Sequence, residues 1–186
     1  MEIACLVWAW VLLDLVYKFV EKGIASCGSP PFPIPQMQFV DAAMAVGHNT
    51  GEGTECAFLL EEIIGEEQGE FRKYMNNVSA VPLSLNCNED MERAQFLAFM
   101  QHVQYYKTKK LAFISDYQGK LQSRSSSRSV SNCLLWPGGC SLLTDPQIVT
   151  DRYVHPDSNA FSRGTHFYAT QIQWPRVHLC WWESPN

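Results

Sequence analysis

The sequence predicts an α+β fold, and three observations carry that prediction. Residues 88–108 place apolar side chains at the three- and four-residue spacing of a helix. Residues 56–60 and 111–117 are short apolar runs of strand length beside turn-forming residues. Proline-rich and glycine-rich pieces separate the elements, with no internal repeat. At 186 residues, 46% apolar and 18% charged, the chain is globular in composition and long enough for one domain with a true core.

The stretch MEIACLVWAWVLLDLVYKFVEKG reads as a core-facing helix ending at Gly23. Glu2 stands where a signal peptide needs positive charge, and Asp14 and Lys18 interrupt the apolar run. A membrane or signal segment is the alternative. SCGSPPFPIPQ, from Ser26 to Gln36, is a proline-rich connector. HNTGEGTE reads as a surface loop, and CAFLLEEIIG as a buried strand over Cys56–Leu60 that runs into Glu61 and Glu62. GEFRKYMNN is short, polar and helical or turn-like.

In NEDMERAQFLAFMQHVQYYKT, Asn88 suits the N-cap, and Glu89 and Asp90 suit the positive end of the helix dipole. Met91, Ala94, Ala98, His102 and Tyr105 mark its apolar stripe. LAFISDY is the next strand. The run from 120 to 141 begins as a Ser/Arg low-complexity segment and is expected to protrude as a poorly ordered loop. LLTDPQI then forms a strand end and a turn, followed by the aromatic tail WPRVHLCWWESPN.

Charge and thiols bound the function. A net charge of −5 makes no electrostatic case for nucleic acid. Seven cysteines, an odd number without a CxxC pair, indicate a reducing, cytoplasmic compartment.

The chemistry concentrates in DYQG and TDP. Strand alternation would put Asp116 and Gln118 on one side, with Gly119 turning the backbone sharply. Asp145 from a neighbouring turn would add a third oxygen donor. Such a set suits magnesium, which takes one or two carboxylates plus substrate phosphates. Two aspartates in turns also serve simply to cap local backbone. His102 with His178-Leu-Cys180 supplies the ligand types of a zinc site.

These pieces, in this order, resemble the catalytic domain of the alpha-kinases, atypical protein serine/threonine kinases, and look closest to the fungal members. CAFLLEEIIG with GEFRKYMNN resembles the hinge strand and the segment after it. FLAFMQHVQYYKTKKLAFISDYQG resembles the helix with its zinc-binding His and the strand ending in Asp-x-Gln-Gly, with His102 at the family's distance from Asp116. LLTDPQI matches almost word for word. The likeness covers roughly residues 56–150.

The resemblance implies a two-lobed kinase-like fold over residues 1–186 as one domain. A partial, truncated N-terminal lobe would occupy 1–59, and a C-terminal lobe of the zinc type 60–186, with 120–141 as a disordered insertion. It implies an ATP-dependent protein serine/threonine kinase. Asp116 would be the catalytic Asp, Gln118 and Asp145 the magnesium ligands on ATP, and Glu61 the hinge residue beside adenine. His102, His178 and Cys180 would bind structural zinc. The expected partners are ATP and a protein substrate, with neither nucleic acid nor membrane.

The chain also departs from the family pattern. Ser184 stands where a further zinc-binding cysteine belongs. Phe161-Ser162-Arg163-Gly164-Thr165 replaces a Phe-Gly-x-x-Asn loop. The segment between Gly119 and Thr144 is long, and no strand precedes the first helix to carry an ATP lysine. These departures sustain an alternative: a catalytically dead alpha-kinase fragment or pseudokinase acting as a binding module.

Overall fold

The computed structural model describes residues 2–28, 34–48, 55–65, 70–77, 79–122 and 140–150. The Phe161 loop, His178, Cys180, Ser184 and most of the 120–141 segment lie outside these residues.

Helix α1 spans Glu2–Cys27 and buries Leu6, Ala9, Leu12, Leu13, Val16, Phe19 and Val20, a stripe at three- and four-residue spacing. It runs past Gly23. Its end is Gly28, whose φ of 81° is open to glycine at no steric cost, with its N–H donating to the Ile24 carbonyl at 2.9 Å. By length and composition α1 is also long and apolar enough to cross a membrane. Its outward face exposes Val7, Trp8, Trp10 and Val11, while its inner face belongs to the core.

Strand β1 (Gln36–Phe39) is pinned to α1 by Tyr17, whose hydroxyl donates to the Pro35 carbonyl at 2.9 Å and accepts from the Met37 N–H at 2.8 Å. Strands β2 (Ala42–His48) and β3 (Glu55–Glu61) form an antiparallel hairpin. The strand expected at 56–60 is therefore present, but its burial is not: Phe58 and Leu60 are exposed on one face of the pair, as are Met44 and Val46 of the partner strand on the other. Among the described residues this hairpin is a two-stranded sheet of its own, too thin to bury its apolar faces.

The segment expected to be helical or turn-like contains strand β4 (Arg72–Lys73) and the fully buried pair Tyr74 and Met75. Burial of two large side chains in succession overrides the polar look of their neighbours. Helix α2 spans Asn88–Lys107, with Glu89 and Asp90 in its first turn. Its N-cap is Cys87, in extended conformation and without a side-chain bond, so Asn88 is the first helical residue rather than the cap.

Strand β5 (Ala112–Ser115) pairs with β8 (Gln147–Thr150), and β6 (Gln118–Gln122) pairs with β7 (Cys140–Thr144), both antiparallel. The segment read as a loop over 120–141 thus begins and ends as paired strand. A four-stranded sheet runs β1-β7-β6-β4. One continuous core joins α1, β1, Tyr74, Met75, the inner face of α2, Ile114, Tyr117 and Leu143. A smaller cluster of Ala80, Phe113 and Val149 lies on the other side of β5, closed by the edge-on contact of Tyr105 with Phe113.

Candidate active site

The site is built at a bend in one long hairpin. The register of β5 with β8, ending at Ser115 opposite Gln147, continues unbroken into β6 with β7, which opens with Gln118 opposite Thr144. Between the two ladders Asp116 and Tyr117 face Asp145 and Pro146. Both chains kink here. Asp116 has φ 59° and Asp145 φ 49°, the left-handed region that Asp tolerates better than most residues. The two carboxylates therefore come from facing sides of the same bend.

This geometry replaces the expected alternation of Asp116 and Gln118 along one strand. Left-handed Asp116 ends β5, and Gln118 opens β6. Nor does Gly119 turn the chain. It lies within β6, paired to Leu143 on one side and Arg72 on the other. A side chain there would run into the Leu142 carbonyl and stand 2.9 Å from the Leu143 Cα. Glycine is needed because β7 approaches so closely.

Asp116 is 6% exposed. Its Oδ1 lies 2.6 Å from Lys73 Nζ, an ion pair between β4 and the bend. Lys73 sits opposite Gln118 in the β4–β6 ladder, and the Tyr117 carbonyl accepts from the Tyr74 N–H at 2.9 Å. Strand β4 is tied to α2 in turn: Arg72 Nε lies 3.4 Å from an Asp90 oxygen, and Asp90 also binds Arg93 at 2.8 Å. Sequence reasoning missed Lys73. Nothing in EFRKY marks it, since the burial of Tyr74 beside it and the distant partner Asp116 appear only in the fold.

Gln118 Nε2 donates to Asp145 Oδ2 at 3.0 Å. Turning the amide over would present its oxygen beside the carboxylate. The donor set at the bend is then two carboxylates and one amide oxygen, all hard, which suits magnesium sharing its shell with phosphates and water. No group of three or more His, Cys, Asp or Glu side chains that could hold a metal alone occurs among the described residues.

The remaining predicted residues lie elsewhere. Glu61 is exposed at the end of β3, opposite Ala42. The chain that follows it reaches the site's sheet, since Lys120 Nζ donates to the Gly65 carbonyl at 2.7 Å. His102 is half-buried on α2, and that burial holds its imidazole below the ordinary pKa, favouring the neutral form. Its expected zinc partners are outside the described residues.

A buried acid in a left-handed bend, with a lysine against it and two further oxygen donors beside it, lies in an α+β domain of kinase-like class. The sequence model of the alpha-kinase family matches residues 15–177, and the chain belongs to that family. A solved structure described as a novel alpha kinase from Entamoeba histolytica is similar with a TM-score of 0.43 at 14% identity, over 81% of this chain. This chain spans 56% of that one. No curated protein matches.

Proposed function

We propose that this chain is an ATP-dependent protein serine/threonine kinase that transfers the γ-phosphoryl group of ATP to a protein hydroxyl in the cytoplasm. The observation that carries the reading is the bend, where Asp116 and Asp145 come from its two facing chains, with Gln118 bonded to the second and Lys73 to the first. The exposed thiols Cys56 and Cys87 are in keeping with a reducing compartment.

Phosphoryl transfer asks a protein mainly to position the reactants and to stabilise charge. Asp116 is the acceptor for the substrate hydroxyl proton. Lys73 holds that carboxylate in place from 2.6 Å, and its ammonium would meet a phosphate oxygen. Gln118 and Asp145 would hold magnesium, which supplies neutralisation of phosphate charge when bound. The segment after Glu61 would receive the adenine. A structural zinc on His102, His178 and Cys180 completes the reading, supported by ligand type alone.

The test is direct. The purified chain is incubated with magnesium, labelled ATP and a basic test protein. Label transfer that disappears in Asp116→Ala supports the proposal. Nucleotide binding without transfer would replace it with the binding-module reading.

A further inference from the structure

Two glutamines on α2 are buried in the middle of the core: Gln104 is 0% exposed and Gln101 2%. Their amides occupy the edge of β5 that β8 does not cover. Gln101 Nε2 donates to the Ile114 carbonyl at 2.8 Å, and Gln104 Oε1 accepts from the Ile114 N–H at 2.9 Å. One donor and one acceptor thus stand in for a neighbouring strand at a single residue. Gln104 does more. Its oxygen also accepts from the Tyr117 hydroxyl at 3.3 Å, and its nitrogen donates to the Leu12 carbonyl of α1 at 3.4 Å. Two donors on one side and a carbonyl on the other allow the amide only one orientation.

Asp116 lies between the two residues that share this oxygen, two positions after Ile114 and one before Tyr117. It is also the residue whose backbone is left-handed. A left-handed non-glycine joint keeps its geometry only where its flanks are held. Phenylalanine at 117 would fill the same space with no hydroxyl to satisfy, and volume-conserving apolar replacements are what a core tolerates best. Leucine at 104 would in addition leave the buried Ile114 N–H without its acceptor. Packing alone therefore does not call for the bond from the Tyr117 hydroxyl to this amide.

We propose that Gln104, with Tyr117, is a positioning residue that fixes the angle at Asp116 and so holds its carboxylate against Lys73. The inference rests on the kinase reading for its consequence in catalysis, but not for its geometry. It predicts that loosening the clamp lets the Asp116 side chain drift while the fold persists.

The experiment measures the Lys73–Asp116 coupling by a double-mutant cycle, Lys73→Met with Asp116→Asn, from denaturant unfolding. The cycle is repeated in Tyr117→Phe and in Gln104→Leu backgrounds. The coupling, expressed as an equilibrium ratio, should fall about threefold or more in either background. Should Gln104→Leu fail to fold, the near-isosteric Tyr117→Phe decides alone. A smaller change overturns the proposal, whatever the activity. In phosphoryl transfer the same variants should lower kcat about tenfold with little change in KM for ATP, because the clamp touches no nucleotide. If the unaltered protein transfers no phosphate, the kinase reading falls, and the coupling still decides the positioning role.

Discussion

The ammonium of Lys73 and the carboxylate of Asp116 lie 2.6 Å apart, joining a two-residue strand to the bend that carries the acid. The partners differ in exposure: the lysine side chain is 41% accessible and the aspartate side chain 8%. Solvent weakens the lysine's share of the pair, while the aspartate has little water to fall back on.

Lys73→Met should therefore lower unfolding stability by about 1–2 kcal/mol, read from denaturant midpoints, since it leaves a mostly buried carboxylate without its cation. In the proposed reaction it should cost about 10²-fold or more in kcat, the scale on which oriented charged groups matter to phosphoryl transfer. Lys73→Arg should recover part of the stability and less of the rate, because a planar fork does not replace a point charge.

Asp145 separates charge from conformation. Asn tolerates its φ of 49° and keeps an oxygen for Gln118 Nε2, so Asp145→Asn should change stability by less than about 0.5 kcal/mol. It removes a hard anionic donor, and the magnesium concentration for half-maximal ATP-dependent transfer should rise about tenfold or more. Asp145→Val keeps neither feature. A β-branched residue in that backbone region should cost about 1–3 kcal/mol, visible in thermal unfolding before any assay.

Gly119→Ala is expected to be among the most damaging small substitutions. The added carbon meets backbone atoms of Leu142 and Leu143, not a side chain that can swing away. Separating β6 from β7 would break the ladder that sets Gln118 opposite Thr144. A loss of about 2–3 kcal/mol in chemical denaturation is expected. An alanine variant with native stability would show that the two strands are less tightly apposed.

Legibility in the sequence follows from how local each signal is. The helices were readable from their three- and four-residue spacing, but the stripe Met91, Ala94, Ala98, His102 and Tyr105 is off the buried face of α2. Only Ala94 of that stripe is fully buried, and the core takes Leu97, Met100 and Gln104 instead. The bends at Asp116 and at Thr144-Asp145-Pro146 were readable as turn chemistry because Asp and Pro carry their backbone preferences wherever they stand. Lys73 was not, because its partner is distant in the chain and nothing local distinguishes it from a solvated lysine. Gln101 and Gln104 look in the sequence like ordinary polar helix residues, and only the uncovered edge of β5 gives their amides a purpose. The exposure of Phe58 and Leu60 was invisible for a different reason: an apolar strand reads as buried until its neighbours are counted. Glycine at 119 was read as a turn, whereas its reason lies on another strand.

The buried tyrosines give the last prediction, at alkaline pH. Burial raises the phenol of Tyr117 above its ordinary pKa of 10.0, and Tyr74 is raised as well, first by burial and then by Asp90 nearby. A raised acid binds its proton more tightly when folded, so below about pH 10 folded and unfolded chains hold the same protons and stability is unaffected. Above about pH 10 the unfolded phenols ionise first, and stability falls with rising pH until the folded phenols also titrate. While only the unfolded form of one phenol is ionised, the slope is about 1.4 kcal/mol per pH unit. Tyr117→Phe should remove Tyr117's share of that slope. Denaturant midpoints of variant and unaltered protein, compared at pH 8, 10 and 11, should converge as the pH rises, with Tyr74 sustaining the slope that remains. A constant gap across that range would mean that the Tyr117 phenol is open to water.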